Sequence, residues 1–349
     1  MKDRHRKIGT KDDVVRLFDD FTKLKVMVVG DVMVDAYVFG TVDRISPEAP
    51  VPVVAVNKRI NRLGGAANVA LNIHALGAAP LLVSVIGNDA KGNEMMTLLR
   101  NLNMSTKGLV QSPERITTTK FRVIGNKMQM LRVDEEITCD ISPDDELKLL
   151  QRVEKMFATE KVDVIILQDY NKGVLTEKVI QHILDMAGRS NIPVTVDPKK
   201  KHFLNYKGVT LFKPNLKELK EGLGLDFDST NLAEVNSAMS KLMAIIGASG
   251  VMATLSERGV LIAWDTGQGT EYLHIPAHLR NVADVSGAGD TVISVASACL
   301  ALGIHPADMA RMANLAGGLV CEQVGVVPVA RERFMSEAIK QTEFTNQHE

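Results

Sequence analysis

The stretch Asp284-Val285-Ser286-Gly287-Ala288-Gly289-Asp290-Thr291 joins unhindered backbone to a carboxylate. Two glycines remove Cβ obstruction, so successive N–H groups can turn toward one point. The apolar run Thr291-Val292-Ile293-Ser294-Val295-Ala296 that follows suits a buried helix. Such a geometry seats an anion. Asp290 stands at the junction, where it can take a proton from an attacking hydroxyl. Gly287, Ala288 and Gly289 beside it offer backbone to a developing phosphoryl charge. The combination predicts phosphoryl transfer to an alcohol. Alone, Gly-Ala-Gly is equally a tight turn capped by an aspartate.

A second glycine-rich turn, Gly64-Gly65-Ala66-Ala67-Asn68-Val69-Ala70, runs into the helical pattern Asn72-Ile73-His74-Ala75-Leu76-Gly77, and Gly30-Asp31-Val32-Met33-Val34-Asp35 directly follows a strand. With one glycine turn early and one late, the chain resembles, over most of its length, the ribokinase-like sugar kinases of the PfkB family. That resemblance implies that Gly64, Gly65, Asn68 and Asp35 bind sugar hydroxyls, with Asp31 beside them. It also implies that Gly287–Gly289 supply oxyanion amides and Asp290 the general base.

Within the family, a narrower resemblance to heptose 7-phosphate kinases rests on three runs. These are Asp43-Arg44-Ile45-Ser46-Pro47-Glu48-Ala49-Pro50-Val51-Pro52-Val53-Val54, Asp169-Tyr170-Asn171-Lys172-Gly173 and Val196-Asp197-Pro198-Lys199. It implies ATP-dependent phosphorylation of the anomeric (C1) hydroxyl of D-glycero-D-manno-heptose 7-phosphate to the 1,7-bisphosphate, on the way to ADP-heptose and lipopolysaccharide. The proline-rich run is physically also an edge strand or loop. The substrate's distal phosphate needs cations, for which Arg132 and Lys172 are the candidates, with Arg44 and Arg122 as alternatives. A lone arginine of this kind is ordinarily solvated, whereas a lysine just past a core strand is better placed.

On the nucleotide side, Asn215-Leu216-Lys217-Glu218 matches the family's NxxE element, which implies that Asn215 and Glu218 act on magnesium and phosphate through bound water. The same four residues read as an N-cap asparagine with an acidic first turn. The resemblance also places Lys199, Ser256 and Gly259 at the nucleotide phosphates, and Asn314 and Gly317 beside the adenine. Asp284, with the carbonyls around Ser286, resembles the monovalent-cation site of some members. Potassium therefore joins ATP and Mg2+ among the expected cofactors.

These residues need elements to position them. Apolar runs of strand length at Lys25–Val29, Leu81–Ile86, Val162–Leu167, Val194–Val196, Leu211–Phe212 and Val251–Thr254 alternate with helical patterns at Asp144–Thr159, Thr176–Arg189 and Leu232–Ile246. Continuous apolar strands imply burial on both faces, and right-handed crossovers then build a mostly parallel sheet between helices. The predicted fold is α/β, a ribokinase-like three-layer αβα sandwich over residues 1–335. Active residues belong at the carboxyl ends of its strands, and Gly30, Asp169, Asp197 and Lys213-Pro214-Asn215 all fall just after such runs, where a shared site would form. Two segments, Tyr37–Asn57 and Thr117–Val133, alternate without a helical stretch and predict a small antiparallel sheet. In the resembled family such insertions form a lid over the sugar and often a dimer contact, so a homodimer is expected. The last residues, beyond about Phe334, read as a helix and a polar tail, the tail given as 336–349.

Length and composition bound the alternatives. A chain of 349 residues with 45% hydrophobic content can bury a large core, and its 41 basic against 42 acidic residues imply no nucleic-acid or membrane face. Cys139, Cys299 and Cys321 lack metal-ligand spacing and predict ordinary buried thiols in a reducing, cytoplasmic setting. Basic Met1–Lys7 is followed by Thr10-Lys11-Asp12-Asp13 rather than an apolar core, so no signal peptide is expected. The apolar stretch from Val292 to Ile304 is too short to span a bilayer. No Gly-x-x-x-x-Gly-Lys-[Ser/Thr] occurs, and Gly30 lacks the spacing of a dinucleotide fold. The remaining alternatives are a ribokinase-like kinase for fructose, ribose or a nucleoside, and a non-catalytic sugar sensor of the same fold. The related bifunctional enzymes add a nucleotidyltransferase domain with a His-x-Gly-His signature. None is seen here, so a separate adenylyltransferase is expected.

Overall fold

Parallel, doubly covered strands are what the continuous apolar runs produce in the computed structural model, which describes residues 5–277 and 281–346. Basic Met1–Arg4 lies outside the described residues. Numbered along the chain, the main sheet contains β1 (Lys25–Gly30), β4 (Ala79–Gly87), β5 (Leu109–Ser112), β8 (Val164–Gln168) and β9 (Val194–Asp197). It continues with β10 (Leu211–Phe212), β11 (Gly250–Thr254), β12 (Val260–Asp265) and β13 (Thr270–Ile275). Their order is β13-β12-β11-β10-β9-β8-β1-β4-β5. Every pairing from β5 to β11 is parallel, and β12 and β13 complete the edge antiparallel. Side chains of Val26–Val29 and Val164–Leu167 are all buried, because helices cover both faces.

One face packs on α1 (Lys11–Phe21), α2 (Ala66–Ala75), α3 (Ala90–Asn101), α8 (Ala288–Ala301), α9 (Pro306–Val320) and α10 (Arg331–Asn346). The other packs on α4 (Pro143–Thr159), α5 (Glu177–Ser190), α6 (Leu216–Leu223) and α7 (Leu232–Ile246). The expected strands and helices are present, and α7 has the predicted bounds. The helix expected beyond about Phe334 is present and takes up most of the expected tail: α10 continues through residues 336–346, with Ala338 buried and Phe334 stacked edge-on against Phe18 of α1. An apolar stripe facing α1 makes this segment part of the body. Of the cysteines only Cys299 is buried, Cys139 being exposed and Cys321 intermediate. No helix among the described residues is long and apolar enough to cross a membrane.

The small sheet comprises β2 (Val32–Ile45), β3 (Pro52–Gly65), β6 (Thr119–Gly125) and β7 (Met128–Glu135), in the order β3-β2-β6-β7. It is mixed rather than wholly antiparallel. Each hairpin is antiparallel internally, but β2 pairs with β6 in parallel, Asp35 opposite Lys120 and Tyr37 opposite Arg122. Main-sheet strands β1 and β5 are parallel to one another and deliver both hairpins from the same end, so the first strand of each points the same way. The β2–β3 hairpin is also longer than expected and runs directly into the Gly64-Gly65 turn.

Candidate active site

Because β1, β8, β9 and β10 run parallel, their carboxyl ends bring Asp31, Gln168, Asp169, Tyr170, Asp197 and Lys213 to one edge of the sheet. Helix α8 starts at the same edge. Its N-cap is Gly287, in the left-handed region at φ +81°, and no side chain caps the first turn. A Cβ at position 287 would stand 3.0 Å from Asn68 Nδ2 and 3.3 Å from Val326 Cγ1, so glycine is required by both conformation and space. The Ala288 amide donates to the Val285 carbonyl at 3.3 Å, which leaves the amides of Gly289 and Asp290 as the uncapped ones, and all three residues line an adjoining cleft.

Asp290 is buried, 4% exposed, and its carboxylate is held from three sides. Asn68 Nδ2 donates to Oδ2 at 2.7 Å, while Gln168 Nε2 at 3.1 Å and the Tyr170 hydroxyl at 2.8 Å donate to Oδ1. A carboxylate offers about four lone-pair positions, so the open one is on Oδ2. Burial pushes the Asp290 carboxyl up to about 6. The Asn68 bond opposes that rise, the Asp197 charge adds to it, and Tyr170 and Lys213 oppose it. Tyr170 itself is raised well above the usual phenol range by burial and then by Asp290 and Asp197, so it remains a neutral donor.

Beside this group, Lys213 Nζ pairs with Asp197 Oδ2 at 3.0 Å, both side chains being almost wholly buried. Gln168 Nε2 also reaches Asp197 Oδ2, at 3.2 Å. A Cβ on Gly289 would lie 3.6 Å from Lys213 Nζ, which places that ammonium beside the first turn of α8. The cleft, of about 590 Å³, is lined by Lys199, Asn215, Glu218, Ser256, Gly259, Asn314 and Gly317, with Val260, Val282, Val285 and Val292 as apolar wall. All the expected nucleotide residues therefore share one cavity. Asn215 and Glu218 form a reciprocal capping box at the start of α6, and Glu218 also pairs with Lys199. The capping expectation for that motif is met, and the motif also lies on the cleft wall.

On the sugar side, Gly64 must be glycine because a Cβ there would lie 2.2 Å from Asp35 Oδ2. Asp35 is buried and pairs with Arg122 across the small sheet. Asp31, 1% exposed, accepts the amides of Tyr170, Lys172 and Val174 at 2.8, 3.0 and 3.0 Å. Burial and the neighbouring Asp169 charge raise its carboxyl to about 6. Its visible work is to hold the 170–174 loop, and with it Tyr170. Lys172 Nζ pairs with Glu136 at 2.7 Å, just beyond β7. Arg132 is half exposed beside Asp134, opposite Arg122 in register. Arg44 is exposed, nine residues along β2 from Asp35, roughly 30 Å at the rise of an extended strand. The structure does not bring it to the cluster within one chain. Asp284 accepts the amides of Ser286 and Gly325, each at 2.9 Å, and these outweigh burial to hold its carboxyl low.

Asp197 and Lys213 stand where strand ends were expected to form a shared site, though without an assigned role, whereas Gln168 and Tyr170 were not expected as site residues. Each stands at or just past a strand end, the one local mark they carry.

A family model described as the pfkB family of carbohydrate kinases matches residues 23–332. The bifunctional protein HldE of Caulobacter vibrioides is 42% identical over 90% of this chain and 63% of its own length, and that of Rhodospirillum rubrum 40% identical over 92% and 63%. The chain thus spans under two thirds of these relatives. Among solved structures, phosphofructokinase-2 from Escherichia coli in complex with potassium superposes with a TM-score of 0.75 at 18% identity, covering 92% of this chain and 99% of that one. Arabidopsis thaliana ribokinase complexed with ribose and ATP gives 0.68 at 16%, covering 91% and 98%. These two share the fold.

Proposed function

Because the chain belongs to the pfkB family of carbohydrate kinases, we propose that its particular reaction is transfer of the γ-phosphoryl group of ATP to the anomeric hydroxyl of D-glycero-D-manno-heptose 7-phosphate. The observation that carries the chemistry is Asp290, a buried carboxylate with one open lone pair at the uncapped start of α8. Two supports favour the heptose: the Arg44–Val54 and Asp169–Gly173 runs, and HldE proteins at about 40% identity over some 90% of the chain.

In this mechanism the acceptor hydroxyl lies between the Gly64-Gly65 turn and Asp290 Oδ2. The carboxylate takes its proton as the sugar oxygen bonds to the γ-phosphorus, and the bond to the β,γ-bridging oxygen breaks to leave ADP. Amides of Gly289 and Asp290 and the Lys213 ammonium take up charge on the phosphoryl oxygens. Asp35 and Asn68 orient the sugar. Closure of the small sheet over the sugar would exclude water, which would otherwise accept the phosphoryl group. Magnesium fits the donor set at the cleft: it keeps most of its waters and takes one or two carboxylates plus phosphates, which Glu218 and Asp197 can supply, with Asn215 adjacent. When bound it neutralises phosphate charge.

Lys172, Arg122 and Arg132 are assigned to the distal phosphate, since all three lie at or beside β6 and β7 on the Asp35 side. A homodimer through the small sheet is part of the same proposal, supported by exposed Ile45, Val51, Val56, Leu131 and Val133. A light-scattering mass of one chain at working concentrations would remove it. An adenylyltransferase activity would act in the same pathway. The deciding assay is ATP consumption with magnesium, comparing heptose 7-phosphate with fructose 6-phosphate, ribose and no sugar, with Asp290→Ala as blank. Turnover with another sugar only would discard the heptose. Silence with all of them would favour the non-catalytic sensor.

A further inference from the structure

Beyond the carbonyls around Ser286, a potassium ion beside Asp284 would need oxygens from the loop that folds against that carboxylate. Gly325 is the residue of this loop whose amide donates to Asp284 Oδ2. The carbonyls on either side of it belong to Val324 and Val326. Both are already engaged by one guanidinium: Arg62 Nη1 donates to Val324 O at 3.2 Å and to Val326 O at 3.0 Å. The arginine is fixed from behind as well. It stands opposite Asp35 in the β2–β3 register, and its guanidinium carbon lies 5.4 Å from the centre of the Tyr37 ring, whose hydroxyl accepts the Val326 amide. Gly325 leaves the room for it, since a Cβ there would be 2.6 Å from Arg62 Nη1. A second cation among these oxygens would compete for the same carbonyl lone pairs and be repelled by the guanidinium. The residues present do not fit the expected ion.

We propose that this chain carries its own cation. Arg62 ties the base of the small sheet to the 324–326 loop, which packs under Gly287 through Val326, and so positions the α8 amides without potassium. Arg62 is a positioning residue, acting on the reaction through that loop. The inference rests on the kinase assignment above, but its first test does not need turnover. Thermal unfolding of the wild type and of Arg62→Ala is followed in KCl and in choline chloride at equal ionic strength. Wild type should melt at the same temperature in both salts, and Arg62→Ala should melt higher in KCl or in millimolar guanidinium.

Initial rates with the active acceptor form the second arm. Wild type should vary by less than about 2-fold between the salts. Arg62→Ala should lose kcat on the order of 10- to 100-fold, as a displaced anion site does, and recover part of it in potassium or guanidinium. A potassium-specific rise in wild-type melting temperature or rate overturns the proposal, as does an Arg62→Ala enzyme of normal kcat. If Arg62→Ala does not fold, Arg62→Met, which keeps an apolar stem against the Tyr37 ring and removes the charge and its hydrogen bonds, takes its place with the same expected outcomes. An enzyme silent with every sugar but insensitive to potassium in melting would reject the kinase assignment and leave the Arg62 site standing.

Discussion

Replacing Tyr170 by phenylalanine removes one hydrogen bond from the reacting carboxylate and little else, because the ring stays between Asp290 and Lys199. A hydrogen bond to a charged group contributes about 1.5–3 kcal/mol. Only the part that favours the ionised over the neutral carboxyl shifts its titration, so the low end, about one pH unit, is the reasonable expectation. Burial already holds Asp290 up at about 6, and Tyr170→Phe should take it to about 7. At pH 6 the fraction of enzyme with an ionised base would fall from about one half to about one tenth, a 5-fold loss in kcat/KM. At pH 8 both enzymes would be more than about 90% ionised and nearly equal. The assay is the pH profile of kcat/KM for the acceptor at fixed ATP and magnesium, which reports the free enzyme. A loss by the same factor at every pH, with the acid limb in place, would refute the idea that Tyr170 tunes the base.

Asp290→Asn should lower turnover by roughly 100- to 10,000-fold with little change in ATP affinity, measured by steady-state kinetics and equilibrium binding. Near-normal turnover would sink the assignment of the base. The same variant tests linkage. A carboxyl raised from 3.8 to about 6 in the fold contributes stability that is complete below pH 3.8 and lost as pH rises through 6. Wild type should therefore lose up to about 3 kcal/mol relative to Asp290→Asn between pH 4 and 7 in denaturant titrations. Lys213→Met leaves Asp197 buried without its ion partner and should cost about 3–5 kcal/mol. Adding Asp197→Asn should restore stability without restoring turnover. Gly287→Ala should cost about 1–2 kcal/mol for the left-handed backbone, and turnover should fall further than stability because the new methyl displaces Asn68.

Much of this site was legible along the chain because its recognition motifs are local. Asp290 lies two residues from Ala288 on a single turn, and the Gly64-Gly65 turn and Asn68 are likewise one segment. The capping box at Asn215 and Glu218 was visible for the same reason. Asp197 and Lys213 could be placed at strand ends, but the network around the base could not be read: Gln168 and Tyr170 reach Asp290, Asp197 reaches Gln168 and Lys213 reaches Asp197 only through the adjacency of β8, β9 and β10, and strand order is not written in any one strand. The parallel β2–β6 pairing escaped notice likewise, since alternation specifies which face a residue takes and leaves strand direction open. A helix was legible beyond about Phe334, but the polarity of residues 336–346 hid how far it continues, and one buried stripe around Ala338 is enough to dock it.

The hydrogen bond from Asn68 to Asp290 closes a loop of 222 residues, and this separation bears on how the protein is born. At roughly 5–20 residues per second, a ribosome needs about 10–45 s to travel from the first partner to the second. Through that interval the buried face of α2, against which α8 finally packs, has nothing to cover it, and Asn68, Gln168 and Tyr170 wait without the carboxylate they share. The βα units between β1 and β11 can pair as they emerge, so a nascent chain can hold a nearly complete sheet and no chemistry. Chaperones that shelter apolar helices should meet this chain in that window, and activity should lag behind sheet formation during synthesis.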